Sequence, residues 1–157
     1  MPAMRTIVRC AALALVALTL AACQRNSPAP DMPAPAFGTD KCAACGAVIE
    51  VPGFAAQYRL SGGAVRSFDD PACLFDALRS EAAAPPVIRF HDHDRDAWLV
   101  PTDAWFARTA VTAPHGSGWA AYASFAAAQD AVATAGSGEI LPFDQAKDRL
   151  SRAGATP

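Results

Sequence analysis

The chain has 157 residues, of which 52% are hydrophobic, and its formal net charge at pH 7 is −2. A chain of this size can bury one modest core or two small lobes. It carries no basic patch, which argues against nucleic acid as a partner. It also has no phosphate-binding glycine loop and no serine-containing elbow beside a histidine. We therefore expect a protein that is not an enzyme.

The first 22 residues have the pattern of a bacterial lipoprotein signal peptide. Arg5 and Arg9 precede an apolar run, residues 10–20, that is too short to span a bilayer well. The run ends in Leu20-Ala21-Ala22-Cys23, where small residues admit a signal peptidase and the cysteine sulfur can accept a lipid. The sequence therefore predicts a signal peptide over residues 1–22 and lipidation of Cys23.

Lipidation would fix the compartment of the mature chain. Each buried acyl methylene contributes about 0.8 kcal/mol, so a multiply acylated Cys23 would stay in the membrane. Gln24 follows the cysteine where Asp would favour the inner membrane, which indicates a periplasm-facing lipoprotein of the outer membrane. Loss of Arg5 and Arg9 with the leader changes the formal charge from −2 to −4.

Residues 23–39 are rich in proline and predict an extended tether. The prolines are Pro28, Pro30, Pro33 and Pro35. The folded domain is expected to occupy residues 40–157.

The folded part contains one order of elements twice. In its first half, alternating residues predict a hairpin of strands 57–60 and 64–68. A helix capped by Asp69 or Asp70 follows, and then strand 87–90.

In the second half, strands 105–111 and 119–123 flank a glycine-rich turn, and Ser124 can cap a helix. Strand 139–143 and a last helix capped by Asp144 complete the chain. This repetition predicts an α+β fold of two small similar lobes, at about 40–92 and 93–157. A single lobed sheet with two helices is the alternative.

Cys42-Ala43-Ala44-Cys45-Gly46 is the motif that carries chemistry. Two thiols three residues apart can point inward from one turn, and Gly46 permits a positive φ. Three uses are open: a redox pair, a zinc site that borrows further ligands, or a site of two or three ligands for Cu(I). The last fits best because thiolate and imidazole suit Cu(I), which needs no tetrahedral cage.

Other side chains could complete a metal site. Cys73 is expected on the first turn of a helix, as a ligand, a core residue or a disulfide partner. His115 lies in a glycine-flanked turn, either exposed or as a ligand. The segment His91-Asp92-His93-Asp94 could bind a harder ion, although a solvated loop is the simpler interpretation.

These motifs, in this order, resemble the NosL family of lipoprotein copper chaperones over about residues 41–145. The resemblance is carried by the Cys42-x-x-Cys45-Gly46 motif, the segment Ser67-Phe68-Asp69-Asp70-Pro71-Ala72-Cys73-Leu74-Phe75, the segments Ala97-Trp98-Leu99 and Asp103-Ala104-Trp105-Phe106, and the turn Ala113-Pro114-His115-Gly116-Ser117-Gly118-Trp119. It implies a Cu(I)-binding protein that passes copper through an ABC-type membrane transporter complex to nitrous-oxide reductase during its maturation.

Two expected methionines are missing. The family usually has Met where this chain has Ala47, and Pro-Met-Gly where it has Pro114-His115-Gly116. The resemblance then implies that Cys45 and His115 are copper ligands, with Cys42 or Cys73 replacing the lost methionine sulfur. A thiol-disulfide redox protein and a structurally disulfide-bonded lipoprotein are the alternatives.

Overall fold

The computed structural model describes residues 29–153, with side chains described as far as Leu150. The predicted signal peptide and Cys23 lie outside the described residues. The described part is an α+β structure with two antiparallel sheets and three α-helices, as the sequence predicted.

The first sheet has strand order β2-β1-β3-β4. Its strands are β1 (Ala56–Arg59), β2 (Val65–Phe68), β3 (Val87–His91) and β4 (Trp98–Leu99). The helix α1 (Pro71–Ser80) connects β2 to β3. Gln57 of β1 lies opposite both Ser67 and Arg89, so these three polar side chains share the face of the sheet that points away from the core.

The second sheet has strand order β6-β5-β7. Its strands are β5 (Trp105–Arg108), β6 (Trp119–Tyr122) and β7 (Glu139–Pro142), and α2 (Phe125–Ala135) connects β6 to β7. Each sheet is therefore built from a hairpin, a helix and a returning strand, which is the repeat that the sequence predicted. The last helix, α3 (Phe143–Ala153), begins one residue before Asp144, so Asp144 lies in its first turn instead of capping it.

The helix ends follow from local chemistry. The Asp70 side chain accepts a hydrogen bond of 2.7 Å from the Ala72 N–H and so caps α1, with Pro71 in the first turn. The Ser124 hydroxyl accepts from the Ala127 N–H at 3.1 Å and caps α2, which ends at Gly136 with φ 80°.

The two lobes share one core. Phe75 of α1 packs against Phe90 of the first sheet and Phe106 of the second, with ring centroids 5.6 and 5.4 Å apart, and against Phe143 at 5.7 Å. Phe90 and Phe106 meet edge to face at 4.7 Å. Because such pairs add about 0.5–1.5 kcal/mol each beyond area burial, this cluster holds the lobes together. The first sheet also continues to Leu99, past the lobe boundary predicted near residue 92.

The proline-rich segment is attached to the domain from about residue 30. The Arg89 guanidinium donates to the carbonyl of Met32 at 2.8 Å and lies 4.1 Å from the centroid of the Trp98 ring. The Gln57 amide donates to the Pro33 carbonyl at 3.1 Å, and Met32 is buried. The outer face of the first sheet is thus covered by the end of the segment that the sequence predicted as a tether.

We expect Arg89→Lys to lower the free energy of unfolding by about 1–3 kcal/mol, since an ammonium cannot reproduce the planar fork and would leave buried carbonyls unpaired. Chemical denaturation of the two proteins checks this. The exposed Arg79→Lys serves as a matched control and should change stability by less than about 0.5 kcal/mol. Equal effects of the two substitutions would show that the segment is not held by Arg89.

Candidate metal centre

A short hairpin before the first sheet presents the cysteine pair. Lys41 and Val48 form an antiparallel bridge, and the Cys42 N–H donates to the Ala47 carbonyl at 2.7 Å. Gly46 closes the turn with φ 76°, a conformation that favours glycine. The hairpin buries Cys42, which is 3% exposed, and leaves Cys45 at the surface.

Two further groups reach the same point from the junction between β2 and α1. Asp69 follows β2, and Cys73 lies on the first turn of α1; both are buried. One ligand atom from each of Cys42, Cys45, Asp69 and Cys73 lies within 4.8 Å of the other three. This is the one such group of three or more metal-ligating side chains within residues 29–153.

The hairpin is attached directly to the first sheet. The Ala43 N–H donates to the Ser67 carbonyl of β2 at 2.8 Å, two residues before Asp69. The Cys45 Sγ lies 3.6 Å from both carboxylate oxygens of Asp69, so its S–H can donate to either. The hairpin is thus held at the junction between β2 and α1 by this backbone hydrogen bond and by the thiol–carboxylate contact.

Asp69 was missed as a candidate ligand, because the sequence offered it only as an alternative helix cap. Asp70 takes the capping role, which frees the Asp69 carboxylate to face the thiols. The available signal was the pair Asp69-Asp70 itself: one carboxylate suffices for a cap, so the other needs a different buried partner.

The thiols differ in their acidity. A hydrogen bond from Cys73 stabilises the Cys42 thiolate and lowers the pKa of Cys42 to about 6, although burial opposes this. The same hydrogen bond, together with burial, raises the pKa of Cys73, which keeps its proton. Partial desolvation raises the pKa of Cys45 as well. Cys42 is therefore the most acidic of the three thiols.

His115 lies in a turn next to this centre but outside the group. The turn is closed by a hydrogen bond from the Gly116 N–H to the Ala113 carbonyl at 2.8 Å, and the His115 side chain is exposed. The Ser117 hydroxyl lies 2.8 Å from both carboxylate oxygens of Asp70, and the His115 backbone also hydrogen-bonds to Asp70. Three of the four predicted ligands thus come together, whereas the imidazole is not among the mutually close donors. Ligation by any of the four residues stays a prediction.

The His91–Asp94 segment forms no second group of this kind within residues 29–153. The expected solvated loop is also wrong for its first half, because His91 and Asp92 are 5% and 2% exposed. His91 is the last residue of β3, and its ring packs edge-on against Trp98 at 5.1 Å. The β4 strand, which the sequence did not predict, provides that cover.

The structure assigns no disulfide to Cys42, Cys45 or Cys73, all of which are free thiols. Over the described residues, the helices are too short or too polar to cross a bilayer.

Comparison with known proteins shows the fold. No protein-family model matches the chain, and no curated protein matches it. Among solved structures, the crystal structure of the copper chaperone NosL from Shewanella denitrificans is similar, with a TM-score of 0.65 and 20% sequence identity over 73% of this chain and 95% of that one. The chain has a NosL-like fold. The resemblance drawn from the sequence motifs is confirmed at that level.

We expect the reduced, metal-free protein to lose one thiol proton near pH 6, well below the usual value of about 8.5, because Cys73 donates to the Cys42 sulfur. The ultraviolet absorbance of thiolate, followed against pH in the presence of a chelator, measures this. Cys73→Ala should move the transition upward, since burial then acts without the hydrogen bond, and Cys42→Ser should abolish it. A first transition at the usual value in the unaltered protein would contradict the geometry.

Proposed function

We propose that this protein is a membrane-anchored metallochaperone for Cu(I), without enzymatic activity. The observation that supports this best is the group of Cys42, Cys45, Cys73 and Asp69, whose ligand atoms converge within 4.8 Å. A similar fold is found in a copper chaperone. Copper would be the cargo of this protein, so the ion must be able to enter the site and to leave it.

The donor set suits a soft ion. Thiolates select Cu(I) over hard cations, and Cu(I) accepts two or three ligands. The Cys42 thiolate would bind first, because the pKa near 6 makes it available at neutral pH. Cys73 and Cys45 would add further sulfur once the cation lowers their affinity for protons.

The arrangement also gives a route for exchange. Cys45 is the exposed member of the group, while Cys42 and Cys73 are buried. A ligand of a partner protein can therefore attack the ion from the Cys45 side and displace one sulfur at a time. Asp69 can hold the proton that leaves or returns to Cys45 during this exchange.

Zinc is the competing ion. Three cysteines and one carboxylate would provide the four ligands of a tetrahedral zinc site. The exposed position of Cys45 favours transfer over permanent binding, which is the reason for preferring Cu(I). A measurement of copper affinity must therefore include Zn²⁺ as a competitor.

The location and partners follow from the leader and the resemblance. We infer that the mature chain is attached through a lipid on Cys23, faces the periplasm and belongs to the outer membrane. Confinement near a membrane raises the effective concentration of the domain at a membrane-bound acceptor. An ABC-type transporter complex and nitrous-oxide reductase are the acceptor and client that the resemblance implies.

We expect the reduced protein to bind one Cu(I) per chain in competition with a chromophoric chelator, and Zn²⁺ not to displace it. Cys45→Ser should weaken binding by about a hundredfold or more, because loss even of groups that only support metal ligands costs about 10–100-fold. His115→Ala separates the two proposed ligand sets. Unchanged affinity leaves the thiols as the ligands, whereas a comparable loss restores the imidazole. Undiminished affinity of Cys45→Ser, or preference for Zn²⁺, would overturn the proposal.

A thiol-disulfide redox function is the second candidate, favoured by the contact between the Cys42 thiolate and the Cys73 thiol. For a chaperone we expect the reduced protein not to accelerate turnover of a disulfide substrate in the presence of a thiol reductant, with thioredoxin as the positive control. Turnover that disappears in Cys42→Ser would instead establish the redox function.

A further inference from the structure

A second concave site lies between the second lobe and the loop that joins β3 to β4, and no cysteine lines it. It is a cavity of about 720 Å³ between α2 and the loop that follows β3. Cavities of about 300–1,000 Å³ accommodate small organic ligands. Its lining includes Tyr122, the charged residues Asp94 and Asp130, and three alanines of α2.

An unpartnered phenol lines this cavity. Tyr122 is 2% exposed, and its ring packs against that of His93 with centroids 5.4 Å apart. Its hydroxyl has no hydrogen-bond partner within residues 29–153. The described residues contain no fully enclosed side-chain nitrogen or oxygen that lacks a partner, so the Tyr122 hydroxyl opens onto the cavity. A ligand atom that enters the cavity can therefore hydrogen-bond to this hydroxyl.

The side of the cavity formed by α2 contains three alanines beside Asp130 and Thr134. Ala127, Ala131 and Ala135 recur every four residues and so form one face of α2. Alanine side chains leave the space that larger residues would fill. The cavity can therefore hold a compact apolar body next to the Tyr122 hydroxyl.

The charge in the lining of the cavity that no ion pair offsets is negative. The Asp130 carboxylate has no ion-pair partner in the described part of the chain. Arg95, a cation in the same lining, lies 4.0 Å from Asp92, which partly offsets its charge. Burial and the nearby carboxylates Asp94 and Asp92 raise the pKa of Tyr122 to about 12, so the phenol stays neutral and the local field disfavours an anion.

We propose that this cavity binds a small organic cation, an ammonium group carried on a compact apolar body. The N–H of the ammonium donates to the Tyr122 hydroxyl oxygen, the Asp130 carboxylate faces its charge, and the apolar body packs on the alanines of α2. The site is independent of the proposed copper function.

The test uses the full chain with reduced cysteines and two probes of matched shape: phenethylammonium and 3-phenylpropanoate, which differ in charge. NMR titration should show saturable shifts of the amides of residues 93–95 and 130–135 with the cation, and at least tenfold weaker binding of the anion. Tyr122→Phe should weaken cation binding by about three- to tenfold, the loss of one hydrogen bond. Asp130→Asn should weaken it by a similar factor.

Ala131→Leu fills the cavity and should abolish binding of the cation. The dispersed amide spectrum outside residues 93–95 and 130–135 should stay unchanged in every variant, which shows that each variant is folded. Absence of saturation by the cation, equal affinity for the anion, or full binding by Ala131→Leu would each overturn the proposal.

Discussion

The arrangement of the cysteine cluster depends on the buried carboxylate of Asp70, which is fully shielded from solvent. A carboxylate in such a place must be compensated by hydrogen-bond donors. Here they are the Ala72 N–H, the Ser117 hydroxyl and the His115 backbone, which come from both lobes. Burial nevertheless raises the pKa of Asp70, and these hydrogen bonds act in the opposite direction.

This one group fixes several others. By capping α1 it sets the position of the first helical turn and hence of Cys73, and it leaves Asp69 free to face Cys45. Through Ser117 it holds the turn of the second lobe against the same helix end. The aromatic core formed by Phe75, Phe90 and Phe106 packs the two lobes closely against each other. A displacement of one lobe is therefore transmitted to the other. The position of the cysteine cluster thus depends on both lobes, although its sulfurs all come from the first.

The elements were predictable where one local rule decided them. The caps of α1 and α2, the two hairpins and the repeated order follow from Asp70, Ser124 and short-range patterning. The short strand β4 was not predictable, since two residues are too few to show an alternating pattern. They form a strand only because β3 lies beside them and pairs with them. The docking of residues 30–33 likewise requires Arg89, 56 residues further along the chain from Pro33. The role of Asp69 depends on which of two adjacent carboxylates becomes the cap.

The side chains at positions 47 and 115, where the resemblance led us to expect methionine, are not needed to hold their turns in place. At position 47 the backbone carbonyl, not the side chain, closes the hairpin by accepting from the Cys42 N–H, and Ala47 is exposed. Its side chain can therefore change without moving the cysteines.

At position 115 the turn is likewise held through backbone and Ser117, independent of the side chain that it presents. Both positions can therefore carry different side chains on the same scaffold. Cys73 is attached to the capped end of α1, where a change at neither position can displace it. On the copper proposal, three thiols would hold Cu(I) more firmly than thioethers would, and an acceptor would then need thiolates of its own.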